Sequence, residues 1–225
     1  DRQLELAIFQ VGDDPVSRRY VNTKKRFGEA LGIGVEMYEF HEDVDQEELL
    51  EGIAAIVDKS SDLFSGIIVQ LPLPKSFSID TLLNAIPVDH DVDLLSEAAR
   101  EAYENGTSLI LPPVVGAIQE VFALHDVHVE GKRIAIVGHG RLVGRPVATW
   151  LEQAHAQVTI LTQADPLQET LAEADIVISG TGVANLIQPE MLKDEVVLID
   201  VGTSDEGGEL MGDIDLRCAT KASLF

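Results

Sequence analysis

Ser17, Tyr20 and Lys24 stand three and four residues apart, the spacing that puts side chains on one face of an α-helix. A tyrosine and a lysine one turn apart offer a ring for stacking and an amine for proton transfer. Amines of this kind do acid–base work where burial or a neighbouring cation draws the pKa toward neutrality. The segment around them, Asp13-Asp-Pro-Val-Ser-Arg-Arg-Tyr-Val-Asn-Thr-Lys-Lys-Arg26, reads as a helix start, with Asp14 as the cap and Pro15 in the first position. Five of the chain's 16 lysines and arginines fall between Arg18 and Arg26, against a net charge of −23. That concentration predicts an anionic small-molecule ligand; a solvated polar helix face is the alternative.

Two further segments carry polar groups at chemically useful places. Gly66-Ile-Ile-Val-Gln-Leu-Pro-Leu-Pro74 reads as a buried strand running into Gln70 and two prolines. An amide at the carboxyl end of such a strand sits where α/β folds place ligands, although a satisfied strand-end glutamine reads the same way. Pro87-Val-Asp-His-Asp-Val-Asp93 is a loop with three carboxylates and His90. Its spacing fits a metal loop, a helix cap ahead of Ser96, or a ligand-binding turn.

A different chemistry is written in Arg133-Ile-Ala-Ile-Val-Gly-His-Gly-Arg-Leu-Val-Gly144. Gly138, Gly140 and Gly144 follow a strand pattern and open a helix pattern. The spacing is G-x-G-x-x-x-G, one residue longer than the usual dinucleotide fingerprint. Its physical requirement is the same: a tight turn without Cβ atoms, and backbone N–H groups aimed at a pyrophosphate. The alternative is a glycine-rich turn that holds nothing. The following strand ends at 160–163, with Thr162 and Gln163, and Asp165 comes later than the acidic residue that grips the ribose of NAD. Arg141 and Arg145 flank the turn and suit a 2′-phosphate, which favours NADP, unless both are ordinary solvated arginines.

These groups need a frame, and the chain alternates apolar β-rich runs with helical patterns. Strands are expected at 4–11, 34–40, 66–70, 133–137, 157–161, 176–179 and 196–201. Helices are expected at 15–31, 46–58, 79–85, 96–104, 113–124, 142–153 and 166–172. Short, continuously apolar strands between helices predict α/β architecture with parallel sheets and right-handed crossovers. A polar break with Gly131 near 125–132 divides the chain into domains at 1–111 and 127–225, joined by a helix at 112–126. Both ends stop abruptly, as in a fragment.

Composition narrows the functional classes. The chain has 225 residues, enough for one large or two small domains with a real core. With 39 acidic residues against 16 basic ones, it is set against phosphate backbones and anionic lipid, so neither nucleic acid nor membrane is expected as a partner. Its single cysteine, Cys218, excludes an internal disulfide and any multi-cysteine zinc site. The longest apolar run, 65–73, is far short of a bilayer span, and no signal-peptide pattern opens the chain. A cytoplasmic setting is expected.

Read in order, the pieces resemble the methylenetetrahydrofolate dehydrogenase/cyclohydrolase family. They are Val11-Gly-Asp-Asp-Pro15, Ser17 with Tyr20-Val21 and Lys24, Val69-Gln-Leu-Pro-Leu-Pro74, Asp91-Val-Asp93, Val137-Gly138 with Val143-Gly144 and Pro146, Ala174-Asp-Ile-Val177, Ile199-Asp-Val-Gly202 and Gly212-Asp213. The resemblance spans nearly the whole chain. It implies a folate-binding catalytic domain and a Rossmann-like NAD(P) domain with an active-site cleft between them. It also implies oxidation of 5,10-methylenetetrahydrofolate, then hydrolysis of the methenyl product to 10-formyltetrahydrofolate, by a homodimer. Lys24 corresponds to the catalytic lysine, Tyr20 to the stacking tyrosine, Gln70 to the glutamine that tunes the lysine, and Asp93 to the pterin-binding carboxylate; Ser17 joins them as a substrate contact. The expected cofactor set is Gly138, His139, Gly140, Arg141, Gly144, Thr162, Gly180 and Thr181.

The chain also departs from the family pattern. Gly138-His139-Gly140 replaces the usual Gly-Arg-Ser, Pro112-Pro-Val-Val115 replaces Pro-Cys-Thr-Pro, and Leu94 stands where a glycine usually follows the aspartate. The Pro-Gly-Gly-Val-Gly-Pro segment and the helix before the first strand are missing. Two rival readings come from these features: a two-domain oxidoreductase of another small acid, such as a shikimate-type substrate, and a non-catalytic folate- or nucleotide-binding module.

Overall fold

The computed structural model describes residues 4–60, 66–162 and 164–225. The chain forms two compact α/β units, Asp1–Leu111 and Pro112–Phe225.

In the first unit, β1 (Glu5–Val11) leads into α1 (Pro15–Ala30), β2 (Gly34–Phe40), α2 (Gln46–Ser60) and β3 (Gly66–Val69). Both β2 and β3 pair with β1 in parallel, giving the order β2-β1-β3. Alternation along β1 decides which helix covers which face. Ile8 packs with Ile68 and with Val21 of α1. Ala7 and Phe9 point the other way, to Leu49 and Ile53 of α2 and to Ile67 and Val69. The Phe9 ring stacks on Tyr38 at 4.9 Å and on Phe40 at 6.1 Å between centroids. α1 starts as the sequence predicts: Pro15 is in its first turn and Asp14 Oδ2 accepts from Ser17 N at 2.7 Å. Two short helices complete the unit, α3 (Ile79–Leu83) and α4 (Glu97–Glu104).

The second unit begins with α5 (Pro113–Leu124), followed by β4 (Arg133–Val137), α6 (Gly144–Gln153), β5 (Gln157–Leu161), α7 (Leu167–Leu171), β6 (Ile176–Ser179) and β7 (Val196–Asp200). α5 packs on α6, with the Phe122 and Trp150 rings 6.0 Å apart. α6 starts later than the helical periodicity predicts, because 140–143 is taken up by the turn that precedes it. Three strands that the sequence reading did not anticipate follow. β8 (Ser204–Glu206) and β9 (Glu209–Met211) form an antiparallel hairpin, and β10 (Ala222–Leu224) adds to the sheet edge. Three residues each are too few to show a period. The sheet order is β10-β7-β6-β4-β5, all parallel, the architecture expected from short apolar strands separated by helices. Among the described residues, no helix is long and apolar enough to cross a membrane.

Candidate active and cofactor sites

The order β2-β1-β3 reverses between β1 and β3, and such reversals are where α/β sheets open a crevice beyond the carboxyl ends of their strands. Lys24, from the helix that follows β1, meets Gln70, the residue immediately after β3. Lys24 Nζ donates to Gln70 Oε1 at 3.2 Å and to Asp93 Oδ2 at 3.5 Å. The Gln70 amide is oriented by its own Nε2, which donates to the Leu71 carbonyl at 2.6 Å. Gln70 N donates to Phe9 O at 2.8 Å, so the site glutamine extends the β1–β3 ladder by one bond. The lysine's neighbours are thus acceptors, an amide oxygen and a carboxylate, and not the second cation that spacing alone left open. Tyr20 lies one turn back on α1 and is 46% exposed.

Asp93 is positioned by the loop in which the sequence shows three carboxylates. Ile67 N donates to His90 O at 2.8 Å, and Asp91 bridges Ile67 as a short parallel pairing beside β3. The buried Asp91 carboxylate accepts from Leu95 N at 3.0 Å and from Ser96 N at 2.7 Å. Of the three readings of this loop, that is the helix-cap one: Asp91 closes the turn into α4, and Ser96 Oγ then accepts from Ala99 N at 3.3 Å. His90 Nδ1 lies 3.1 Å from Asp89 Oδ1. The described residues hold no cluster of three or more metal-ligating side chains.

Ser17 goes elsewhere. It is only 4% exposed, and its hydroxyl has no hydrogen-bond partner among the described residues. The α1 face at Ser17, Val21 and Gly28 is the one packed onto the sheet. Tyr20 and Lys24 flank that face, while Ser17 lies within it.

In the second unit the reversal falls between β4 and β6. Gly138 ends β4 at φ +102°, and an added Cβ would come 2.7 Å from the Gly180 carbonyl oxygen. A Cβ on Gly144 would lie 2.0 Å from the Gly138 oxygen, so the turn closes only with glycine there. No side chain caps α6, which leaves its N-terminus to a ligand. This cradle fits a dinucleotide pyrophosphate. His139 and Arg145 are exposed beside it and Arg141 is half-buried. Thr162 N and Oγ1 both donate to Asp165 Oδ2 at 2.6 Å, and those bonds hold the carboxyl below the usual carboxylate range. The acidic group nearest the end of β5 is therefore tied into its own turn. Gln163 lies outside the described residues. Gly180 and Thr181 stand just past β6, against the Gly138 turn.

Two carboxylates of this unit received no individual role from sequence. Asp200 and Asp213 are joined through backbone, with Asp200 Oδ1 accepting from Asp213 N at 3.2 Å. Burial raises the Asp200 carboxyl above its ordinary value. The signal was present in the Asp-Val-Gly and Gly-Asp pairs, where glycine beside aspartate marks a close approach.

Comparison with known proteins identifies the two domains. Residues 1–93 match the model of the tetrahydrofolate dehydrogenase/cyclohydrolase catalytic domain, and residues 112–225 match that of the corresponding NAD(P)-binding domain. The bifunctional protein FolD of Lactococcus lactis is 37% identical over 212 residues, covering 93% of this chain and 74% of that protein. The crystal structure of the bifunctional FolD dehydrogenase/cyclohydrolase from Campylobacter jejuni superposes with a TM-score of 0.92 at 32% identity, over 99% of this chain and 80% of that one. A Trypanosoma brucei FolD solved with NADP and an inhibitor also gives 0.92, at 29% identity over 99% and 79%. With a catalytic domain carrying the lysine site and an NAD(P)-binding domain carrying the glycine turn, the chain belongs to the tetrahydrofolate dehydrogenase/cyclohydrolase family.

Proposed function

We propose that this chain oxidises 5,10-methylenetetrahydrofolate to the 5,10-methenyl form with NADP, and then hydrolyses that product to 10-formyltetrahydrofolate. The observation that carries the reading is the Lys24 amine held between Gln70 Oε1 and Asp93 Oδ2, at 3.2 and 3.5 Å, at the carboxyl end of a parallel sheet.

An ammonium has three N–H donors in all. Two of those on Lys24 go to Gln70 and Asp93, and the third is the one left for a bound folate. In the hydrolysis, water adds to the methenyl carbon and gives up a proton. The ring C–N bond then breaks as its nitrogen takes one. Lys24 is the group assigned to that proton traffic. Gln70, itself locked to Leu71 O, keeps the amine from swinging away. The other oxygen of Asp93 is assigned to the pterin N–H groups, and the Tyr20 ring to stacking. Ser17, buried in the sheet-packed face of α1, is left out of the substrate contacts.

When bound, NADP supplies the acceptor for the hydride that leaves the methylene carbon. The chain's part is to hold it: Gly138, Gly140 and Gly144 admit the pyrophosphate to the α6 N-terminus, and Gly180 and Thr181 form the facing wall. Arg141 and Arg145 supply positive charge for a 2′-phosphate, and Asp165 spends its Oδ2 on Thr162 N and Oγ1 and not on a ribose hydroxyl. A homodimer and a cytoplasmic setting belong to the same reading. Among the described residues β5 pairs only with β4 and so leaves a sheet edge for a second copy, and the single cysteine is a buried thiol suited to a reducing compartment.

The test is a pair of absorbance assays on wild type and Lys24→Met, with NADP and NAD in parallel. Wild type should oxidise methylenetetrahydrofolate faster with NADP. Lys24→Met should lose methenyl hydrolysis by about a hundredfold or more, with unchanged circular dichroism. Hydrolysis near the wild-type rate in that variant would sink the assignment.

A further inference from the structure

We propose that Asp213 is a positioning residue for the dinucleotide: its buried carboxylate shapes the 180–183 loop, one wall of the crevice at the reversal of the second sheet. The inference rests on reading this unit as the NADP site, and deepens that reading.

The two walls of the crevice are in direct contact. A Cβ on Gly138 would meet the Gly180 oxygen at 2.7 Å, and one on Gly180 would meet Val143 Cγ1 at 2.6 Å. A movement of the 180–183 loop by a fraction of an ångström therefore changes the shape of the cradle. The loop's own sequence, Gly-Thr-Gly-Val, supplies one internal bond, Val183 N donating to Thr181 Oγ1 at 3.2 Å, and the rest of its anchoring comes from outside it.

Asp213 does this from beyond the β8–β9 hairpin. It is fully buried. Its Oδ2 accepts from Ser179 Oγ at 2.7 Å, Thr181 N at 2.6 Å and Thr181 Oγ1 at 2.9 Å, and its Oδ1 accepts from Val183 N at 3.0 Å. Four donors compensate a charge that would be prohibitive alone at such depth. They also dictate which loop amides remain. Gly180 N is spent on Val137 O at 2.9 Å, and Thr181 N and Val183 N on the carboxylate. Gly182 N–H is the amide of the loop left for a ligand.

Asp213 is in turn fastened by Asp200, whose carboxylate accepts from Asp213 N at 3.2 Å, Ile214 N at 2.9 Å and Gly202 N at 3.1 Å. A Cβ on Gly202 would fall 2.0 Å from the Asp213 carboxylate, so that carboxylate occupies the space a side chain at 202 would need. The strings Ile199-Asp-Val-Gly202 and Gly212-Asp213 thus form one device, an aspartate clamped by another, that sets the far wall of the nucleotide site.

Asp213→Asn keeps the size but places an NH2 against donors on one side or the other. The expected result is a rise of about tenfold in both the NADP Kd, read by fluorescence titration, and the KM for NADP, with the KM for methylenetetrahydrofolate within about twofold. Ser179→Ala is the second variant. Ser179 is fully buried and cannot touch a ligand, so any change in affinity travels through Asp213, and about a threefold weakening of NADP is expected. A lowered melting temperature with the NADP Kd unchanged on folded protein would mean a structural role only and overturns the proposal. Should Asp213→Asn not fold, Ser179→Ala decides alone. Wild type that fails to bind NADP refutes the cofactor reading itself, which separates the two failures.

Discussion

Leu94 stands where the family usually has glycine, and the backbone shows why glycine suits the position: φ there is +53°, in the left-handed region. A side chain in that region costs about 1–2 kcal/mol. Leu94 is only 4% exposed, and burying a leucine contributes about 1.5–3 kcal/mol. Burial outweighs strain, so Leu94→Gly should lower stability by about 1 kcal/mol in urea titration, with the site intact. A more stable glycine variant would contradict this. The Lys24–Asp93 pair shows the opposite balance. At 3.5 Å, with side chains 33% and 20% exposed, it adds little to stability. Its weight is in the chemistry, so Lys24→Met should lose hydrolysis without unfolding.

At the scale of elements, the site depends on how the 87–96 loop is held to β3. Asp91 is buried and fixes the turn from which Asp93 projects. Asp91→Ala removes the acceptor of two buried backbone N–H groups, Leu95 and Ser96, at a cost of about 2 kcal/mol. The misplaced Asp93 should raise the KM for the folate while the NADP Kd stays unchanged. Calorimetry with a substrate titration checks both, and an unchanged folate KM would show that Asp91 serves stability alone. The capping signal at Asp14 and the period of α1 were legible because caps and periods act within one or two turns, whereas Ser96 was read as the first residue of its helix and is its cap. The hairpin and β10 were not, since strands of three residues are specified by their partners.

The whole molecule carries a net charge of −23, and three groups held above their ordinary values, Tyr103, Tyr38 and Cys218, contribute to its alkaline stability. Burial pushes the Tyr103 and Tyr38 hydroxyls up to about 12 and the Cys218 thiol up to about 11. When unfolded, the tyrosines release their protons near 10.0 and the thiol near 9.0. Between those values the folded state binds more protons, so stability is complete below pH 9 and falls as pH rises toward 12. Urea midpoints measured from pH 8 to 11.5 should show the decline, and Tyr103→Phe should flatten it; an equal slope in that variant would rule Tyr103 out. On the acid side the sign is reversed. Asp175, bonded to Lys193 and Arg133, and Asp215, bonded to Arg217, sit below the usual carboxylate range. What they contribute is present above the ordinary value and is lost as pH falls.

Local sequence by itself determined the succession of strands and helices as far as β7, the cap of α1, the glycine turn and the helix face that carries Tyr20 and Lys24. Each of these depends on interactions between residues a few positions apart. Lys24, Gln70 and Asp93 are separated by 46 and 69 positions from the lysine, and they meet only because β3 pairs beside β1 and the 87–96 loop is bonded to β3. Tertiary packing also turned Ser17 inward and brought Asp213 beneath the 180–183 loop. Strand order and burial are settled by which apolar faces cover each other, and no local period encodes that choice.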